Sequence, residues 1–436
     1  MTVSRPLDWV PVRWPSDWKP EALSLLESTP FNCVVIDEGQ RASATPLIER
    51  AQKQGVAVVT LGGVLSGDIP AIPAFPISKW NNAATGDVVA ISDASWPGIP
   101  MRKSDGGDSG PTGLPWVDSN GWVSLLAHAK APGKSIWIDA APPKDGPVLR
   151  PDNYLLAVAD SGAYGSRWIV TLHSKLAAGV GSKTDDALAV WRSIAQSASF
   201  FEKQKQWRTF HPAAALGIVS DFEGPNEFLG TELLNLTPRR QLQYRVIDIR
   251  KGGPRDITGL KAVVWVDQKA PAGDWAQAIK GFVSSGGTLI GPASMQHFAD
   301  GLRSAGVFDG RYNLAALGSG RFAIAMKPWS DPYQLAADTH LLLTRRYDEI
   351  RLWNSGTTNA LYKTGPNGQA VVQILNFAAR SFGSPVSLYV AHPYKTVKWS
   401  TLPSGASETL PVARKQEGIE IAIPPFQSYG AVELGD

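Results

Sequence analysis

The sequence predicts a multidomain α/β protein: a degenerate (β/α)8 barrel first, a doubly wound α/β domain second, and a small β-sandwich last. Three observations carry this. Residues 216–292 alternate short Val- and Ile-rich runs (217–219, 244–249, 262–266, 288–290) with helix-like segments of about a dozen residues, the rhythm of a parallel sheet built from βαβ units. The residues before them repeat strand and helix signals up to one long closing helix. From Asn359 onward the helices stop and short alternating strands take over. A chain of 436 residues, 43% apolar, also exceeds what one core organises.

In chain order, residues 8–61 read as strand, helix, strand, helix, strand: LDWVPVRW, PEALSLLES, NCVVID, TPLIERAQKQG and VAVVTL. Pro20 opens the first helix and Gly55 closes the second, the expected punctuation of helix ends. Further strands are expected at 87–91, 114–117, 135–138, 154–159 and 168–172, eight in all. A helix over 184–207 places Leu188, Trp191, Ile194 and Ala195 on one face. Eight strands in roughly 210 residues is short for such a barrel, so several of its helices must be reduced to loops. The loop 96–115, WPGIPMRKSDGGDSGPTGLP, is too polar for a core and long enough to serve a function. The expected boundaries are 1–212 for the barrel, 213–357 for the α/β domain, with a last strand in GRFAIAMKP and a last helix in PYQLAADTHLLLTRRY, and 358–436 for the sandwich.

Composition narrows the partners. Lys and Arg number 42 against 39 Asp and Glu, a net charge of +3 spread without a basic run, so neither nucleic acid nor an anionic membrane is implied. No stretch of about 18 apolar residues exists to span a bilayer. The single Cys33 excludes internal disulfides and Cys-based metal clusters. The start, MTVSRPLDW, lacks an apolar leader core, which fits a cytoplasmic chain or the mature start of an exported one. Sixteen Trp exceed the 14 Phe and 10 Tyr, and a Trp face suits the C–H face of a sugar ring as well as it suits a core.

Several apparent motifs carry no chemistry. GVGSKT at 179–184 resembles a phosphate loop, but Ser182 splits the Gly–Lys pair and Leu176 stands where the first Gly is needed. GSGRFA at 318–323 precedes a strand, whereas a dinucleotide turn follows one. The histidines (128, 173, 211, 297, 340, 392) lack a paired spacing on one helix face, which leaves them as surface or capping residues. Asp105 and Asp108 lack the alternating ligands of a calcium loop. No metal or cofactor is expected.

Strand ends supply the chemical signal. Asp37 and Glu38 end NCVVIDEG, Asp93 ends VVAISD, Asp118 ends LPWVD, Asp139 ends SIWID and Asp160 ends LLAVAD. In a barrel, strand ends converge on one mouth, and glycosidic cleavage takes two carboxyls facing each other there. Trp96, Trp116, Trp122, Trp137 and Tyr164 lie beside four of them. Aspartate after a strand is also a favoured cap and turn residue, which competes with a catalytic role at each position.

The order of domains resembles the family 42 β-galactosidase-like glycoside hydrolases, in which a catalytic TIM barrel is followed by a flavodoxin/amidotransferase-like domain and a β-sandwich. The passage WRSIAQSASFFEKQKQW, then LGIVSDFEGPNEF, resembles the exit of such glycosidases from the barrel. The family's catalytic pair is a Glu after strand four, usually preceded by Asn, and a Glu after strand seven. Asp93 and Asp160 occupy those places here without the motif, and Asn226–Glu227 falls in the middle domain. An Asp93 and Asp139 pair is more similar to α-galactosidase-type barrels. No Cys lies between 213 and 350, so the amidotransferase-like domain has no glutaminase nucleophile, and a structural or homo-oligomer-forming role is expected of it.

The leading expectation is therefore a bacterial glycoside hydrolase acting on a neutral oligosaccharide or glycoside. Asp160 is the expected nucleophile or base, with Asp93 or Asp139 as its partner. Asp37, Glu38, Asp118 and the five aromatic residues line the substrate site. The competing expectation is a non-catalytic carbohydrate-binding or assembly protein on the same scaffold.

Overall fold

Short runs of apolar residues buried on both faces set the first part of the fold. A computed structural model describes residues 4–62, 69–80, 86–99, 116–143, 150–381 and 385–436. Its first strands are β1 (Pro11–Arg13), β2 (Cys33–Ile36), β3 (Ala57–Leu61), β4 (Ala71–Ile72), β5 (Ala74–Phe75), β6 (Val88–Ile91), β7 (Ser135–Ile138) and β8 (Arg167–Trp168). Each pairs in parallel with the next, except that β4 and β5 follow one another on either side of Pro73, β4 pairing with β3 and β5 with β6. The ladder then returns to its start, because Val12 bridges Val170 in parallel and the Arg13 amide donates to the Val170 carbonyl at 2.9 Å.

Alternation along these strands divides their side chains. Cys33, Val35, Ala57, Val59, Ile72, Val88, Ala90, Trp137 and Ile169 cluster with Trp9. Val34, Ile36, Val58, Val89, Ile91, Ile136 and Ile138 join a larger core with the helices α1 (Thr45–Gln54), α2 (Gly121–Lys130), α3 (Pro151–Gly162), α4 (Ser174–Gly181) and α5 (Asp185–Lys203). Burial pushes the Cys33 thiol pKa up, which suits an inert packing residue.

Two expectations are corrected here, and one element is added. Residues 154–159 form part of α3, not a strand; Tyr154 through Ser161 are all buried, and a helix buried all round shows no periodicity to set it apart from a buried strand. Of the strand expected at 114–117, residues 114 and 115 lie outside the described residues, while Trp116 and Val117 form no strand. A strand passing through 71–75 was not expected, since Pro73 interrupts it and a proline demotes a strand reading.

After β9 (His211–Pro212) come β10 (Leu216–Ser220), α6 (Glu227–Leu236), β11 (Tyr244–Asp248), β12 (Ala262–Trp265), α7 (Gly273–Ser284), β13 (Thr288–Gly291), β14 (Arg303–Phe308), β15 (Tyr312–Leu317), β16 (Gly320–Ala325) and α8 (Pro332–Leu343). They build a seven-stranded sheet of order β11-β10-β12-β13-β16-β15-β14, parallel through β16 and antiparallel beyond it. The chain continues as β17 (Ile350–Trp353), β18 (Thr358–Thr364), β19 (Ala370–Asn376), β20 (Val386–Val390), β21 (Thr396–Thr401), β22 (Ser407–Thr409), β23 (Ala413–Arg414), β24 (Ile419–Ile423) and β25 (Tyr429–Gly435). These strands form two antiparallel sheets, β17-β20-β24-β23 and β22-β21-β25-β19-β18-β9, which share one apolar core. No described helix is long and apolar enough to cross a membrane.

Polar contacts tie the last two regions to the strand ring. Lys130, at the end of α2, reaches Glu223 at 3.2 Å and Asp248 at 3.6 Å. Lys363 of β18 is buried and donates to the carbonyls of Ala163 and Trp207. Gly121 opens α2 directly under Tyr164: a Cβ there would stand 2.4 Å from the Tyr164 ring, which is itself fully enclosed. Gly121→Ala is therefore expected to destabilise the chain by about 1–3 kcal/mol through overpacking, read as a lowered Tm in thermal unfolding.

Candidate active site

The rows of the inner cluster end in charge at the carboxyl-terminal rim of the ring. By two-residue alternation the row Cys33, Val35 continues to Asp37, and Trp137 continues to Asp139. Ile169 likewise leads to Thr171, and Trp9 through Pro11 to Arg13. Arg13 joins them. Its Nη2 donates to both oxygens of Asp139 at 2.7 and 2.8 Å, its Nη1 donates to Asp37, and its Nε donates to Thr171 Oγ1 at 3.3 Å. The Arg13 and Asp139 side chains are 20% and 18% exposed, against 62% for Asp37. Burial works against the guanidinium charge, but Asp139 and Asp37 outweigh it, so the Arg13 pKa is raised. Both oxygens of Asp139 thus accept from one guanidinium nitrogen.

The other expected carboxylates fall at several places around and below this rim. Asp93, exposed beyond β6, accepts from the Ile77 amide at 2.9 Å and so ties the turn after β5 to the turn after β6. Asp118 pairs with Gly98 in a single antiparallel bridge and accepts from the Trp116 indole N–H at 3.3 Å. Burial raises the Asp118 pKa, against that hydrogen bond. Glu38 is exposed and pairs with Arg41 at 3.2 Å. Asp160 does not end a strand. It lies within α3, fully buried, and accepts from Ser119 Oγ at 3.0 Å, the Asn120 amide at 2.7 Å and Asn120 Nδ2 at 2.9 Å. It therefore satisfies orphan donors at the start of α2, with no surface open to a substrate.

Most of the aromatic residues pack. Trp137 is wholly enclosed in the inner cluster, and Tyr164 is buried at the end of α3. Trp96 sets its ring edge-on to Tyr154 and Trp168, with centroids 5.3 and 5.6 Å apart. Trp116 and Trp122 are half-buried against the outer core. His173 caps α4, accepting from the Lys175 amide at 3.3 Å, in line with the capping expected of the histidines. Asp105 and Asp108 lie outside the described residues. Among the described residues no cluster of three or more His, Cys, Asp or Glu could hold a metal ion. Arg13 and Thr171 were not foreseen. Arg13 had a signal: it is the one charged residue in the run VPVRW.

No family model matches the chain, and no curated protein does. Solved structures do match it at the level of fold. The chain is similar to α-L-fucosidase isoenzyme 2 from Paenibacillus thiaminolyticus at 10% identity and a TM-score of 0.51, covering 95% of this chain and 79% of that one. It is similar to a family 42 β-galactosidase of G. stearothermophilus at 13% identity and a TM-score of 0.50, covering 90% of this chain and 66% of that one. A rhamnosidase from a Novosphingobium species matches at 12% identity and a TM-score of 0.50, covering 89% of this chain and 38% of that one. The fold is thus one found among glycoside hydrolases.

Burial pushes the Asp160 carboxyl up to about 6 from 3.8, against the three hydrogen bonds, which lower it. Between those two values the folded chain holds a proton that the unfolded chain has released, so this group's contribution to stability falls as pH rises through the window and is level above it. Asp160→Asn removes the titration while keeping an acceptor for Asn120. The parent is expected to lose about 3 kcal/mol relative to that variant across this window, seen as a drop in relative Tm between pH 4 and pH 6.

Proposed function

We propose that the chain is a glycoside hydrolase acting on a neutral oligosaccharide or glycoside at the rim around Arg13. In this reading a reduced TIM barrel occupies residues 1–212, a flavodoxin/amidotransferase-like domain 213–357 and a β-sandwich 358–436, to whose sheets β9 and β17 from outside those last bounds are added. The observation that carries it is the gathering of Asp37 and Asp139 on one guanidinium at the strand ends of a fold shared with glycosidases.

Cleavage needs one carboxyl kept protonated as acid and one ionised as nucleophile or base. Asp139 has the surroundings of the ionised member, since Arg13 clamps both of its oxygens. Asp118 is offered as the acid, its pKa raised by partial burial against the Trp116 hydrogen bond. Asp93 is the alternative acid, and Asp160 has no part in the chemistry because nothing outside the core reaches it. Asp37 shares the cation with Asp139 and fixes the guanidinium. A neutral substrate fits the dispersed net charge of +3. The similar structures are named for fucose, galactose and rhamnose, all uncharged sugars.

Asp139→Asn keeps an oxygen for Arg13 and removes the charge. It is expected to lower kcat/KM on the cognate aryl glycoside by about 10²- to 10⁴-fold and to lower Tm as well, because Arg13 keeps only Asp37 as a charged partner. Unchanged turnover would remove Asp139 from the mechanism. A parent that is thermally stabilised by sugars yet hydrolyses none would replace this reading with the non-catalytic one.

A further inference from the structure

Beside the antiparallel pair β15 and β16 of the seven-stranded sheet, a cavity of about 320 Å³ opens between the start of β15, the end of β16 and the start of α8. It shares no residue with the Arg13 rim. Its wall is held by a network centred on the buried Asp338, 1% exposed, which accepts from Arg311 Nε at 2.9 Å, from Arg311 Nη2 at 2.6 Å and from Gln334 Nε2 at 2.9 Å. Beside it the Trp329 indole N–H donates to the Tyr312 hydroxyl at 3.1 Å.

Trp329 has only one polar atom, and Tyr312 takes it, so what the indole offers a ligand is carbon. Met326, 41% exposed, adds a second apolar surface to the lining. Between these surfaces stand the amide of Gln334 and the hydroxyl of Ser330, both exposed and both able to donate and accept. The charged groups of the lining are Arg311 and Lys327 against Asp331 and Asp338, two of each sign, which cancel. An anionic ligand finds no cationic excess, and a purely apolar one would strip water from the exposed polar groups without replacing it. A ring with apolar C–H faces and hydroxyls at its edge meets both demands. The volume lies at the lower end of small-ligand cavities, about 300–1,000 Å³.

We propose that this cavity is a second saccharide site, taking a neutral sugar ring against Trp329 with its hydroxyls on Gln334 and Ser330. The site binds without cleaving, so it stands or falls separately from hydrolysis at the rim. The probes are neutral galacto-, manno-, xylo- and fuco-oligosaccharides, titrated calorimetrically into the full chain carrying Asp139→Asn, and into the same chain with Trp329→Ala or Gln334→Ala added. Asp338 keeps both Arg311 bonds when the exposed Gln334 is replaced, so that variant tests the site even where loss of Trp329 disturbs folding. Either added change is expected to weaken one binding event by about tenfold or more, the loss of one stacked ring or one pair of hydrogen bonds, while leaving binding at the rim in place. In the otherwise unaltered chain, Gln334→Ala is expected to leave the turnover measured at the rim as it was. Affinities that are the same with and without these changes would overturn the proposal, as would a chain that binds none of the sugars away from the rim. A concentration-dependent mass in sedimentation that Met326→Ala abolishes would also overturn it, by making the cavity a contact between copies of the chain.

Discussion

One arginine shared by two aspartates governs the rim. Arg13 acts twice: its backbone amide closes the strand ring on Val170, and its side chain collects Asp37, Asp139 and Thr171 from three other places on that ring. The two roles are coupled, because a charge one-fifth exposed at a strand end is tolerated only when it is paired. Removing either aspartate leaves a guanidinium that water solvates poorly. Removing Arg13 sets two carboxylates against each other across the same opening. The polar arrangement of the opening therefore rests on one side chain.

The rest of the chain supports that rim from the side. Asp160 caps the start of α2 from within α3, and Asn120 in turn links to Ser95 in the loop after β6 through both its amide nitrogen and its oxygen. The far end of α2 is anchored by Lys130 on the seven-stranded sheet, and the end of α3 by Lys363 and Gln373 of the final sheets, both of which donate to Ala163. Burial lowers the Lys363 pKa to about 8, with help from nearby Arg208, so this anchor is a costly one that only carbonyl oxygens satisfy. Helices flanking the strand ring are thus fixed by polar contacts at their ends and by apolar packing along their length.

How much of this was legible in the sequence depended on whether a segment faced one environment or two. The run CVVI of β2 and the run SIWI of β7 read as strands because they are short, apolar and punctuated, and they are strands. The parallel part of the middle sheet was equally plain, since helices between its strands carry a polar face, whereas the antiparallel β14 and β15 were not read. YLLAVA failed because α3 is buried on every side, which erases the helical period that would have told it from a strand. The strand through 71–75 failed because Pro73 hides it. The aromatic residues read as a lining of the mouth turn out largely to pack, with Trp137 in the inner cluster and Trp96 against Tyr154 and Trp168. Asp37 and Asp139 were found as strand-end carboxylates. Their arginine was not, because a search for paired acids passes over the base that brings them together.

The account is tested most directly by a crystal structure of the chain carrying Asp139→Asn, soaked with a neutral oligosaccharide. It predicts a sugar ring seated over residue 139 at the rim, with Arg13 still bonded to Asp37 and Asp118 turned towards the glycosidic oxygen. A rim closed by Arg13 and empty of sugar, with the oligosaccharide bound only elsewhere, would contradict it.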